Sequence, residues 1–252
     1  MRQPTRRVAR RDALQAMGSL AGLAVLTACG GGESPSAAST GATTSSGASG
    51  STATANAACV VTPQLTEGPY FVDEGQNRSD IRTDPSTGVA RPGVPLEIAV
   101  AVSQIASGSC GPLAGALVDV WHCDALGLYS DVSAQRTVGQ RFLRGYQVTD
   151  ASGLARFTTV YPGWYQGRAV HVHFKVRTNP SGSRGLEVTS QIFFDEALTD
   201  LVHAQAPYSQ KGRRDTLNSA DGIYRGGGPV LVAPLAASGA GYAGTFHVGI
   251  QV

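Results

Sequence analysis

No C-x-x-C pair occurs in the 252 residues, so the four cysteines lack the spacing of a structural zinc site. No internal repeat is evident, and helical periodicity is nearly absent; a short turn around Leu198–Ala204 is the best candidate for it. The apolar stretch Ala13–Ala28 is too short and too weakly apolar, with Gln15 inside it, to span a membrane stably. A basic patch is also missing. The 20 Lys and Arg against 18 Asp and Glu give a formal charge of +2, but Arg2, Arg6, Arg7, Arg10 and Arg11 all fall at the N-terminus. Without residues 1–28 the counts become 15 basic and 17 acidic, a formal charge of −2. Nothing that remains argues for a nucleic-acid partner.

What is present at the N-terminus has the order of an export signal over residues 1–28: arginines, then the apolar stretch. Arg10-Arg11-Asp12-Ala13-Leu14 resembles a twin-arginine signal, which directs export of folded proteins. Leu26-Thr27-Ala28-Cys29-Gly30 resembles a bacterial lipobox, with Cys29 as the lipidated residue. Residues 29–58 are almost entirely Gly, Ser, Thr and Ala and bury no apolar area, so they read as a flexible tether. The expectation is an exported, membrane-anchored lipoprotein on a periplasmic or extracellular face, with one domain over residues 59–252. Three cysteines then remain, enough for one bridge. Cys110 and Cys123 flank a predicted strand at opposite ends, which leaves Cys59–Cys110 as the favoured pair.

From residue 59 the chain reads as short strands between turn residues. Val94, Leu96, Ile98, Val100 and Val102 alternate with smaller or polar residues, a period of two. Further strands are predicted at 116–123, 142–148, 154–160, 169–177, 188–194 and 245–252. Strands at this spacing with Gly, Pro and Ser between them indicate an all-β sandwich.

Tyr161–Phe174, YPGWYQGRAVHVHF, concentrates the chemistry. On an extended strand His171 and His173 share one face, while Val170, Val172, Phe174 and Val176 form an apolar row on the other. An H-x-H pair also fits two surface histidines on a half-buried strand. Here Tyr165 and Arg168 stand close by, and imidazole is the commonest metal ligand, so a metal site is favoured. Tyr129 sits in the loop leaving the 116–123 strand, a place where a rigid scaffold can position a ligand. Gln191 is a polar group on an otherwise apolar strand and needs a partner if buried. His122, His203 and His247 have no matching neighbours in sequence and read as structural.

Tyr129, then Tyr165, Arg168, His171 and His173, then Gln191, resembles the pattern of the intradiol ring-cleavage dioxygenases. The resemblance covers roughly residues 62–200 and includes Thr66-Glu67-Gly68-Pro69-Tyr70, Val118–Tyr129 and Ser190–Phe194. It implies a transthyretin-like β-sandwich with one ferric iron held by Tyr129, Tyr165, His171 and His173. It further implies that a catechol-type ring is opened with O2 between its two hydroxyl-bearing carbons, giving a cis,cis-muconate-type diacid. By the same resemblance Tyr165 is the tyrosine displaced by substrate and can act as a base. Arg168 stabilises negative charge on the ring, and Gln191 lies near the iron-bound oxygens. Gly68 and Pro69 match pocket-wall positions, and Trp164 is a further wall candidate.

Two departures from the family pattern limit the transfer. Only Gln166 and Gly167 separate Tyr165 from Arg168, so the protocatechuate enzyme's specificity does not carry over. The long helical N-terminal domain through which catechol 1,2-dioxygenases dimerise has no counterpart, and the sequence does not decide whether a homo-oligomer forms. Two rival readings fit the sequence less well. A copper,zinc superoxide dismutase needs about six histidines at two metals, and the chain has five. A metal-free transthyretin-like binding module gives no reason for the Tyr, Arg and Gln spacings.

Overall fold

The alternation of Leu96, Ile98, Val100 and Val102 becomes the buried face of β1 (Pro95–Ala106), with each of the four at most 3% exposed. The structure, a computed structural model, describes residues 59–107, 109–178 and 185–252. The export signal over residues 1–28, Cys29 and the tether over residues 29–58 therefore lie outside the described residues.

Two sheets face each other. In the first, β1 runs parallel to β9 (Gly241–Gln251), with Leu96 opposite Tyr242 and Ile105 opposite Gln251. On its other side β1 pairs antiparallel with β5 (Leu154–Val160) and then β2 (Ser109–Pro112), while β8 (Leu235–Ser238) lines the outer side of β9. The second sheet is antiparallel, in the order β4 (Arg144–Val148), β3 (Leu117–Trp121), β6 (His171–Arg177) and β7 (Glu187–Phe193). Val118 and Val120, Val172, Phe174 and Val176, and Val188 and Ile192 from this sheet share one core with the inward residues of β1, β5 and β9. The Phe174 and Phe246 rings meet at 5.7 Å between centroids across the sheets. Burying a large aliphatic or aromatic side chain stabilises by about 1.5–3 kcal/mol, so this interior is the main source of stability.

Several predicted strands are shorter in the structure. β4 begins at Arg144 rather than at residue 142, because Leu143 adopts φ +54° and breaks the extended run. β3 stops at Trp121 for the same reason: the His122 N–H still reaches Leu143 O, but the Leu143 N–H turns away to Ile81 O and the ladder ends. β6 starts at His171 instead of 169, since the Ala169 N–H is taken by the Asp221 carboxylate. β2 and β8, four residues each, were not expected from sequence; neither carries apolar alternation, and both are held by pairing to longer strands. The helical turn expected near 198–204 is α1 (Glu196–His203), N-capped by Asp195 through its bond from the Leu198 N–H (2.9 Å). Among the described residues no helix is long and apolar enough to cross a membrane.

Cys59 and Cys110 are joined by a disulfide, and Cys123 is free and buried. The bridge closes a loop of 51 residues, worth about 4 kcal/mol in the chain-entropy picture. From Cys59 the chain forms a strap between the sheets. The Thr62 N–H donates to Gly249 O on β9, and the Leu65 N–H donates to Thr189 O on β7. The Ser190 hydroxyl then donates to Pro63 O (2.7 Å).

Candidate metal centre

Strand register places the first part of the site. His173 on β6 lies opposite Trp121 on β3 and Gln191 on β7, and His171 lies opposite Phe193. The Trp121 indole stacks on the His173 ring at 4.9 Å and 7°. Both imidazoles are 1% exposed, so the face opposite the apolar row is buried as well. His171 Nδ1–H donates to Ala169 O (2.6 Å), which leaves the lone pair on Nε2 facing inward.

The two tyrosines arrive on loops packed backbone to backbone. A side chain at Gly163 would collide with the carbonyls of Asp124 and Ala125, so only glycine lets the 161–168 segment lie on the loop leaving β3. Cys123 Sγ–H points to Gly163 O (3.4 Å) across the same contact. Tyr129 is pinned at its backbone. Its N–H donates to Gln135 Oε1 and its carbonyl accepts from Thr137 Oγ1, both at 2.6 Å. Its ring is fully buried, 5.7 Å edge-on to Tyr165 and 6.2 Å from His173.

Four donor atoms converge here. His171 Nε2 is 3.0 Å from His173 Nε2 and 3.1 Å from Tyr165 Oη. Two donors at right angles on an ion about 2.1 Å away stand about 3 Å apart, so this spacing suits neighbouring ligands on one metal. The buried Tyr129 Oη and His173 Nδ1 have no hydrogen-bond partner in the protein. Leaving such a group unpaired costs about 1–3 kcal/mol. Burial pushes the Tyr129 phenol well above its ordinary range and Tyr165 up to about 12. It also pulls His171 down to about 3 and His173 well below the usual imidazole value. Without a cation, all four groups are therefore neutral at pH 7. A multivalent cation reverses that balance for the phenols. Two phenolates and two imidazoles are hard to intermediate O and N donors, which fits ferric iron rather than a thiophilic metal. Among the described residues no group of three or more His, Cys, Asp or Glu could hold a metal, so the set depends on its tyrosines.

Beside the donors lies a second polar cluster. Arg168 Nη2 donates to Gln191 Oε1 (2.5 Å), Nη1 is 3.5 Å from Tyr165 Oη, and Nε donates to Asp221 Oδ2 (2.9 Å). Gln191 is fully buried, and its Nε2 donates to Thr66 O (2.9 Å), which ties β7 to the strap. Gly68, with φ +71°, passes against His173: a Cβ there would stand 3.5 Å from its Cε1. Pro69 is exposed. Trp164 faces away from this cluster, donating its indole N–H to Gly212 O (3.1 Å) beneath the Lys211 ammonium.

Two residues of the site were not singled out from sequence. Tyr70 lays its ring 4.6 Å from that of Tyr129 and 6.4 Å from Tyr165, and its position directly after Gly68-Pro69 was the available signal. Asp221 had no local signal, since it meets Arg168 only through the fold. The remaining histidines stand elsewhere. His122 is bonded to Thr159 Oγ1 (2.7 Å) and Cys123 O (2.8 Å), His203 to Pro162 O (3.1 Å), and His247 lies on β9 opposite Ala101.

A family model described as Dioxygenase matches residues 66–217, more than half of the chain, and so spans every one of the four converging side chains. The chain belongs to the intradiol ring-cleavage dioxygenase family. Among curated proteins, it is 34% identical over 117 residues to a chlorocatechol 1,2-dioxygenase of Pseudomonas putida, covering 38% of this chain and 42% of that one. The chain spans about half the length, or less, of the curated relatives it matches. Among solved structures it resembles an intradiol ring-cleavage dioxygenase from Tetranychus urticae, with TM-score 0.67 and 29% identity over 77% of this chain and 95% of that one. A dioxygenase domain from a carbohydrate-binding fusion protein of Streptomyces sp. SirexAA-E aligns with TM-score 0.55 and 27% identity, over 77% and 99% of the two chains. These two solved chains are thus matched over nearly their whole length, whereas the curated relatives are matched in part.

Proposed function

We propose that this chain opens a catechol-type ring between its two hydroxyl-bearing carbons with O2, giving a cis,cis-muconate-type diacid. The observation that carries the reading is the convergence of Tyr165 Oη (3.1 Å) and His173 Nε2 (3.0 Å) on His171 Nε2, beside a buried Tyr129 Oη that has no partner. These four would hold one Fe(III) per chain. Bound there, iron would supply Lewis acidity and a redox-active centre for the reaction of a catechol with O2.

The protein's own groups then have distinct tasks. Tyr165 is partly exposed where Tyr129 is fully buried, so Tyr165 is the phenol that an entering catechol can reach. Its Oη then accepts a proton from a substrate hydroxyl. Tyr129, locked by Gln135 and Thr137, stays in place. The Arg168 guanidinium supplies a fixed positive charge where negative charge develops on the ring. Gln191 holds that guanidinium and is itself held by Thr66. Tyr70 stands beside Tyr129 and Gly68 beside His173, and with Pro69 between them in sequence they are assigned the pocket wall.

The sandwich is assigned to the transthyretin-like type, supported by its two facing sheets and by the likeness to the Tetranychus urticae dioxygenase. Export through a twin-arginine signal, lipidation at Cys29 and a tether over residues 29–58 complete the reading. The Cys59–Cys110 disulfide supports it, because such bonds persist in oxidising compartments.

The test is direct. Purified protein should carry about one iron per chain, show a visible phenolate-to-iron band and consume O2 with catechol. A protein that stays colourless and iron-free after reconstitution with ferrous or ferric salt would sink the proposal. A panel of catechol, protocatechuate, hydroxyquinol and chlorinated catechols then identifies the substrate.

A further inference from the structure

We propose that Asp221, outside the donor set, is the positioning residue that seats the Arg168 guanidinium beside Tyr165 and Gln191; the inference rests on the dioxygenase reading. The Asp221 side chain is 1% exposed, and each of its oxygens has a fixed task. Oδ2 accepts from Arg168 Nε (2.9 Å) and from the Ala169 N–H (2.8 Å). Oδ1 accepts from the Ile223 N–H (2.7 Å) and the Tyr224 N–H (3.2 Å). A carboxylate with four backbone and guanidinium donors cannot swing. Burial raises its pKa, but the Ala169 amide, the Arg168 charge and the Ile223 amide outweigh that and hold it below the ordinary carboxylate value.

The geometry assigns each edge of the guanidinium. Asp221 grips the Nε edge, which aims both Nη atoms at the site, one to Gln191 Oε1 and the other toward Tyr165 Oη. The turn carrying Arg168 could not do this alone. Only Gln166 and Gly167 lie between Tyr165 and Arg168, Gly167 has φ +80°, and its amide is braced from outside by Asp215 (3.2 Å). Asp215 and Asp221 belong to one C-terminal segment, which therefore clamps the short turn at two successive points. Arg168 alone, a long side chain with several rotatable bonds, would otherwise lose a defined seat.

Asp221→Asn tests this, because its amide must set an N–H against the Arg168 Nε–H or release a cap. The expected result is a kcat with catechol lower by roughly 10–100-fold and a KM within about 3-fold of wild type. Iron content and the visible band of the substrate-free protein should not change. A crystal structure of the variant should show Arg168 parted from Gln191. Arg168→Lys should lose kcat similarly, and adding Asp221→Asn to it should cost nothing more, since Asp221 acts through Arg168. A retained kcat in Asp221→Asn, a further loss in the double variant, or an unmoved Arg168 in the crystal overturns the inference. Should Asp221→Asn fail to fold, a wild-type kcat in Arg168→Lys overturns it instead. A colourless wild-type protein overturns the dioxygenase reading alone, and the variant's crystal structure still decides whether Asp221 seats Arg168.

Discussion

Two buried polar clusters sit side by side at the start of β6, and they are satisfied in opposite ways. The Arg168, Gln191 and Asp221 cluster is closed: every oxygen of the carboxylate and amide has a protein donor. In the tyrosine and histidine cluster, Tyr129 Oη and His173 Nδ1 lack partners, and two imidazole Nε2 atoms face each other at 3.0 Å. Native interiors rarely leave polar atoms this way. The difference teaches that one cluster is complete as protein, whereas the other leaves the Tyr129 hydroxyl and two facing Nε2 atoms in an arrangement that a cation between them would complete.

The sharpest way to break that contrast is His171→Ala. Removing one of two imidazoles should reduce iron from about one per chain to near none and abolish O2 consumption, as read by metal analysis and an oxygen electrode. Iron retained at wild-type level would mean that the donor set is misassigned. Asp221→Asn should act on the other cluster whether or not iron is bound. It should lower stability by about 3 kcal/mol in both forms, the cost of leaving a buried guanidinium without its partner. Its pH signature follows from sign. The folded Asp221 carboxyl is held below its unfolded value, so its stabilisation is full above the unfolded pKa and lost as pH falls through the folded one. Urea unfolding should therefore show wild type and Asp221→Asn converging as the pH is lowered below about 4. A gap that widened on acidification would contradict the ionised pair. The smallest effect is expected from Tyr129→Phe in iron-free protein. Deleting a hydroxyl that has no partner should leave the unfolding free energy within about 0.5 kcal/mol, or raise it, while the same variant loaded with iron loses most of its visible band. A large loss of stability in the iron-free variant would show that Tyr129 Oη has a partner in the protein.

How much of this could be read from sequence depended on whether the signal was local. The apolar row of β6 and the alternation in β1 follow from a period of two, and both became core faces. His171, His173, Tyr165 and Arg168 fall within one short segment, so their chemistry was visible before any fold was known. Tyr129 and Gln191 became legible through order and spacing along the chain. Where pairing is long-range, the sequence is silent. Asp221 meets Arg168 across 53 positions, and Tyr70 meets Tyr129 only because the strap folds back over it. β2 and β8 likewise have no pattern of their own and exist because longer strands offer them a partner. Strand ends depart from the sequence pattern where a single backbone angle or side chain intervenes, as Leu143 does for β4 and Asp221 for β6.

The strap that walls the site begins at a covalent knot. Cys59 is fixed to Cys110 in the β1–β2 hairpin before the chain reaches Pro63, Thr66, Gly68 and Tyr70. A pull applied N-terminal to Cys59 therefore travels through the sulfur bridge into the hairpin and its β1 neighbours, at the first sheet. The residues that touch Gln191, His173 and Tyr129 lie downstream of that junction and of the Thr62–Gly249 bond to β9, so part of the load is diverted before it reaches them. The bridge thus gives the strap a second anchor on the first sheet before it reaches the pocket.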